Sequence, residues 1–252
     1  MQNSIFSEHQ PHHCPLVNES YCHYFYSIST YQQVCMKKPA LVYVYDPLCG
    51  WCYGFSPVMQ RLHETFHQQI QFEVLSGGMV MGDRVGPIGQ VAPYISWAYK
   101  HVEERCGVTF GAGFLEGVLK PGTAIFSSEK PCIALTVFKS HQPENAVRFA
   151  HDLQHAVYYD GKDLTADATY VDLVAPYGID GQDFTEKLNS SEFRNETHRE
   201  FQAVSEMGIT GFPTVFLATE NQNHLLAKGY ADYGPLQSKI QGILNQATVL
   251  PK

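Results

Sequence analysis

Cys49 and Cys52 stand three positions apart in "YDPLCGWCYGF", residues 45–55. Immediately before them runs the short apolar stretch Leu41-Val-Tyr-Val-Tyr45, which reads as a buried strand. After them, Phe55, Val58, Met59, Leu62 and Phe66 recur at helical spacing, so a helix runs from Cys49 to about His67. A Cys-x-x-Cys that follows a strand and opens a helix has a definite chemistry. The first sulfur meets unpaired backbone N–H groups and the positive end of the helix dipole, which favour thiolate over thiol. Cys49 is therefore the expected nucleophile. Cys52, one turn further in, is placed to close a disulfide with it and resolve a mixed disulfide.

The same residues also spell a metal pattern. Cys49, Cys52, His63 and His67 form C-x2-C-x10-H-x3-H, close to a zinc-finger spacing. Against this, a continuous strand leads straight into the pair, the intervening loop is two residues short, and Pro57 falls inside it. A zinc or thiol-binding module thus stands as the non-enzymatic alternative, and no metal is expected. His151 and His155, four apart on one predicted helix, read as a solvated face.

The elements around the pair define an α/β protein. Gln71–Leu75 is a second strand, ended by the glycines of "SGGMVMG". Strand signals then nearly vanish between Pro87 and Glu206, where five segments suit helices, most closed by Gly. Strands return at Thr214–Ala218 and Leu225–Tyr230, and a last helix covers about Pro235 to Gln246. The expected organisation is a core from 38–86 and 207–252, a helical insertion over 87–206, and an extension over 1–37 that is disordered or a misassigned start.

The 252 residues are 44% hydrophobic with 13% aromatics, as in ordinary soluble domains. A net charge of −8 and a pI near 5.8 provide no basic field for nucleic acid. No apolar run reaches bilayer-spanning length, so no membrane partner is expected. Seven cysteines, an odd number, do not suggest a secreted disulfide scaffold, and residues 1–36 lack the Lys or Arg of a secretory signal. A reducing, cytoplasmic setting is expected.

Together "CGWC", Pro57 five residues past Cys52, and the late "GITGFPT" resemble the thioredoxin fold. The long helical insertion between the second and third core strands resembles the DsbA family specifically. "DPLCGWCYGF", "SGGM", "SSEKPCIAL", "QHAVYYDGKDLT" and "GITGFPTVFL" resemble its cytoplasmic, FrnE-like branch of protein-disulfide isomerases. The resemblance covers residues 38 to 246 and implies a thiol–disulfide oxidoreductase or isomerase with a redox-active disulfide and no resident cofactor. Its partners would be protein or small-molecule thiols and disulfides, with glutathione or a dithiol reductase supplying electrons. It also implies a cis Phe212-Pro213 peptide beside the cysteines, leaving residue 212 free to pair with an extended substrate. Kappa-class glutathione transferases and 2-hydroxychromene-2-carboxylate isomerases share the architecture, usually with serine at the position of Cys49. A glutathione-dependent enzyme of that type is the alternative within the fold.

The dipeptide Gly50-Trp51 lacks the histidine that would stabilise a thiolate, so the site is expected to be less oxidising than periplasmic DsbA. Phe212 is bulky and is expected to narrow the substrate groove. Asp46 and Glu73 are candidate proton acceptors for Cys52, though Asp46-Pro47 equally opens a turn. Met79, Met81, Trp51, Tyr53 and Phe55 are candidates to line an apolar groove. Cys132 reads as a small core side chain or a third thiol, and Cys106 as structural.

Overall fold

The computed structural model describes residues 38–220 and 222–249, so the reading of residues 1–37 lies outside the described residues. Strand β1 (Ala40–Tyr45) is buried at all six positions, as its unbroken apolar run requires. It pairs in parallel with β2 (Gln71–Ser76) and antiparallel with β5 (Thr214–Ala218). With β6 (Asn223–Lys228) these make one sheet of order β2-β1-β5-β6. A separate two-residue ribbon joins β3 (Gly86–Pro87) to β4 (Ile125–Phe126).

Helix α1 (Gly50–Phe66) connects β1 to β2 and carries Pro57 in its interior. A proline there cannot donate to the carbonyl of Tyr53. Ser56 Oγ supplies the missing donor at 2.9 Å, so the helix continues. The α1 stripe Phe55, Met59, Leu62 and Phe66 packs with Leu41, Tyr43 and Tyr45 from one face of β1. Burying each such side chain is worth about 1.5–3 kcal/mol. Helix α2 (Ala92–Cys106) follows the ribbon's first strand, and a short helical segment over 112–119 ends in a π turn. Helices α3 (Glu129–His141), α4 (Ala146–Tyr158), α5 (Asp167–Val174), α6 (Gly181–Leu188) and α7 (Ser191–Glu206) complete the insertion. Helix α8 (Tyr233–Val249) closes the chain's described part. Among the described residues, no helix is long and apolar enough to cross a membrane.

The α/β fold with its insertion between the second and third strands of the sheet is the expected one. Two details differ. The insertion is not wholly helical, because the Gly86–Phe126 pairing stitches its entry to the start of α3. Helix α6 lies outside the five segments that suit helices in the sequence, although Asp180 caps it in the usual way by accepting from the Asp183 N–H at 2.8 Å. The insertion builds a second apolar cluster from Ile88, Val102, Phe110, Phe114 and Tyr158. Leu48 and Tyr53, which flank the cysteines, belong to this cluster rather than to the sheet's core.

Candidate active site

Three chain segments converge at one end of the sheet. Because β1 and β2 are parallel, Tyr45 and Ser76 end side by side, and the Gly77 N–H donates to the Tyr45 carbonyl at 2.8 Å. Because β5 runs antiparallel, its first residue, Thr214, lies opposite Val44. Sheet topology thus brings Phe212 to Cys49 across 163 positions of sequence.

Cys49 is the N-cap of α1, in extended conformation at φ −91° and ψ 111°. Its sulfur accepts the Cys52 N–H at 3.3 Å, and its thiol donates to the Phe212 carbonyl at 3.6 Å. The first turn of α1 carries no acidic residue to oppose a negative sulfur. Cys52, one turn on, is wholly buried. Both are free thiols. Burial pushes the Cys52 thiol well up from its ordinary value, and Cys49 beside it adds to the rise. The Phe212-Pro213 peptide is cis, and its proline precedes β5 directly.

Two glycines explain "SGGM". A Cβ on Gly77 would strike the Phe212 ring, and Gly78, at φ +63°, lies under the Phe201 ring of α7. The following Met79 N–H donates to Asp46 Oδ2 at 2.6 Å. Asp46 is wholly buried, and its Oδ1 also accepts from the Leu48 N–H at 2.9 Å and Ser128 Oγ at 2.8 Å. Burial raises this carboxyl, while these three donors pull it back. The carboxylate therefore forms the turn and ties the cysteine loop to the β2 exit and to the start of α3.

Glu73 is not near the pair. It aligns with Val42, and side chains alternate along a strand, so it lies on the face opposite Tyr43. There it stands 3.6 Å from Lys139 Nζ, which donates to Glu200 Oε2 at 2.6 Å and to the Val74 carbonyl at 3.0 Å. Glu200 Oε1 in turn accepts the Ser76 N–H at 2.6 Å. This cluster anchors the end of β2 rather than serving Cys52.

Beside Cys49 opens a cavity of about 270 Å³, between the head of α1 and α2. Trp51 and Met79 line it, as expected of them. Met81 does not, and Tyr53 and Phe55 are buried instead in the two apolar clusters. Ile95, Tyr99, Phe110 and Tyr158, which also line it, come from the insertion, and sequence patterns did not single them out. Tyr158 also clamps the loop, its hydroxyl donating to the Leu48 carbonyl at 2.5 Å. Trp51 and α2 continue outward into a shallower groove with Tyr94 and Trp97, which are 63% and 61% exposed. Gly50 is not sterically demanded, since a Cβ there would meet the Phe110 ring at an ordinary 3.7 Å.

The decoys resolve by position. His63 and His67 lie at the far end of α1, eleven or more residues past Cys52, which is about 16 Å along a helix. One ion cannot bridge that span, so the zinc-finger spacing does not describe a site. His151 Nδ1 is hydrogen-bonded to Ser56 Oγ at 2.8 Å, and His155 stacks on Tyr159. Cys132 is wholly buried beside Ser76 and Gly78, and burial pushes its thiol well up. Cys106 packs against Gly54, where a Cβ would lie 2.7 Å from its sulfur, and burial raises its thiol to about 12.

Fold and site together define a thioredoxin-like protein whose helical insertion roofs a thiol pair. A family profile described as thioredoxin matches residues 42–237, and the chain belongs to that family. A solved structure assigned as a protein disulfide isomerase of Nitrosomonas europaea is 26% identical, with TM-score 0.74 over 83% of this chain and 99% of that one. The cytosolic disulfide reductase DsbM of Pseudomonas aeruginosa shares the fold at 23% identity and TM-score 0.68, covering 82% and 99%. It has also been solved with glutathione. The ClpXP adapter protein SpxH of Halalkalibacterium halodurans is 22% identical over 186 residues, 73% of this chain. The chain spans 60% of the length of that curated relative.

Proposed function

We propose that this protein is a cytoplasmic thiol–disulfide oxidoreductase, acting as a reductase or isomerase through Cys49 and Cys52. The observation that carries the reading is the Cys49 sulfur itself. It caps a helix, faces the Phe212 carbonyl at 3.6 Å, and precedes a second thiol sealed one turn inside.

Cys49, as thiolate, attacks one sulfur of a substrate disulfide and forms a mixed disulfide, while the other substrate sulfur leaves as thiolate and takes up a proton. Cys52 then attacks Cys49, closing the Cys49–Cys52 disulfide and expelling the second substrate thiol. Two electrons pass from the cysteine pair to the substrate. The Phe212 carbonyl, held at the sulfur by Pro213 and Gly77, receives an N–H from an extended substrate strand. No resident cofactor enters this sequence; an external thiol such as glutathione restores the dithiol. The glutathione complex of DsbM supports that electron source.

The cavity beside Cys49 bears on the substrate. None of its lining side chains is charged, whereas glutathione carries two carboxylates and an ammonium. The cavity suits a large apolar side chain next to the substrate cysteine, with glutathione as the smaller thiol that recycles the pair. A transferase or isomerase that activates glutathione's sulfur has less support, because a thiol of the chain's own occupies the helix cap. The deciding experiment replaces Cys52 with Ala in cells and isolates adducts. Polypeptides joined to Cys49 through disulfides are expected; a protein that turns over glutathione conjugates without Cys52 would overturn the reading.

A further inference from the structure

Tyr43 reaches from β1 to the underside of the cysteine pair. Its side chain is 1% exposed, and its ring is held by Tyr45 and Phe55 at centroid distances of 5.4 and 6.0 Å. Its hydroxyl is buried with no well-formed hydrogen bond in the resting dithiol, and the Cys52 thiol is a side chain within its hydrogen-bonding reach. A buried hydroxyl left unpaired is costly, and phenylalanine would fill the same space without that cost. The hydroxyl therefore calls for a use outside the resting dithiol.

The proposed reaction supplies one. To close the disulfide, Cys52 must lose its proton and carry charge where no water reaches it. Burial opposes that charge, and the Asp46 backbone N–H is one donor in its favour. The Asp46 carboxylate is committed to Leu48, Met79 and Ser128, and Glu73 lies across the sheet.

We infer that Tyr43 is a further catalytic residue, whose O–H donates a hydrogen bond to the Cys52 sulfur as its negative charge develops. The inference rests on the reading of Cys49 as attacker and Cys52 as resolver. In the step concerned, the bond from Cys49 to the substrate sulfur breaks and the Cys49–Cys52 bond forms. The proton from Cys52 ends on the departing substrate thiolate, and Tyr43 keeps its own. Burial and the neighbouring thiols hold the Tyr43 hydroxyl well above its ordinary range, which suits a donor that never ionises. In the reverse direction the same bond stabilises Cys52 as the leaving thiolate.

The test separates the two chemical steps in the full-length protein. With a peptide disulfide, mixed-disulfide formation is timed in Cys52→Ala with and without Tyr43→Phe, and ring closure is timed in the intact pair by acid quench and mass measurement. Tyr43→Phe is expected to leave the first step within about twofold and to slow closure about tenfold or more, the scale of a hydrogen bond to a charged group. The pH midpoint of closure should also move up. The groups facing Cys52 that shape this profile are Cys49, Asp46, Tyr43, Tyr45 and Tyr158. Replacing Tyr43 with 3,5-difluorotyrosine keeps the ring and strengthens the donor, so closure should quicken even if the phenylalanine variant folds poorly. Closure unchanged in both variants overturns the inference. Failure of Cys52→Ala to form any mixed disulfide overturns the underlying reading instead.

Discussion

The Phe212 ring lies so close to Gly77 that a Cβ there would sit 2.0 Å from it. The contact is what lets the residue before Pro213 lie over the end of β2 while its carbonyl faces Cys49. Gly77→Ala must push the ring away and carry that carbonyl with it. We expect a stability loss of about 1–3 kcal/mol, as for other overpacked sites. Activity should fall further than stability explains, with kcat/KM for a peptide disulfide reduced at least tenfold in the folded variant. Wild-type kinetics in folded Gly77→Ala would show that the Phe212 carbonyl is dispensable.

Trp51 places an indole where a histidine could donate to the Cys49 sulfur. Trp51→His is expected to stabilise the reduced form and make the pair more oxidising. A hydrogen bond to a charged group, about 1.5–3 kcal/mol, corresponds to roughly 30–60 mV for this two-electron couple. Equilibration against glutathione redox buffers measures the shift. A wild-type potential as high as about −120 mV, that of a strong periplasmic oxidant, would contradict the low-oxidising character expected of Gly50-Trp51.

Ala98 borders both the cavity and the aromatic groove of α2. Ala98→Phe should fill the space meant for the substrate's apolar side chain. Wild-type protein is expected to reduce a peptide with Phe beside its cysteine about tenfold faster than one with Asp there. The variant should bring that ratio close to one. A ratio near one in the wild type would mean that the cavity selects nothing.

Glu73 shares one lysine with Glu200, and burial holds its carboxyl above the ordinary 4.5 despite Lys139. A folded-state value above the unfolded one means ionisation favours unfolding. Its contribution is neutral below about pH 4.5 and unfavourable above the raised folded value. Glu73→Gln should therefore raise the urea midpoint at pH 7, and the gain should fade as pH falls through the carboxylate range. A gain that persists unchanged at pH 3.5 would place the effect outside Glu73's titration.

Local patterns carried much of this molecule because local forces make them. An unbroken apolar run from Leu41, a helical stripe after Cys49 and capping glycines each report an element that forms from its own neighbours in sequence. They were enough to mark the thiol pair and the helical insertion, whereas Phe212-Pro213 was marked by the resemblance to the thioredoxin fold. The spacing of Cys49, Cys52, His63 and His67 imitates a metal site without making one, since sequence distance along a helix is not proximity. Glu73 misled because strand alternation turned it to the other face. The side chains that surround the sulfur were the least legible: Ile95, Tyr99, Phe110 and Tyr158 look like ordinary core residues until the insertion folds over α1.

By itself, then, the sequence determined which sulfur caps a helix and which lies buried behind it, because capping and periodicity are properties of contiguous residues. Only the tertiary structure decided what faces those sulfurs. The antiparallel pairing of β1 with β5 delivered the Phe212 carbonyl, the parallel pairing with β2 delivered Gly77, and the packing of α1 on β1 set the Tyr43 hydroxyl against Cys52. The first two join residues far apart in the chain and exist only once the sheet has chosen its order and register, and the third, though its residues are only nine positions apart, waits on the helix folding back against its strand.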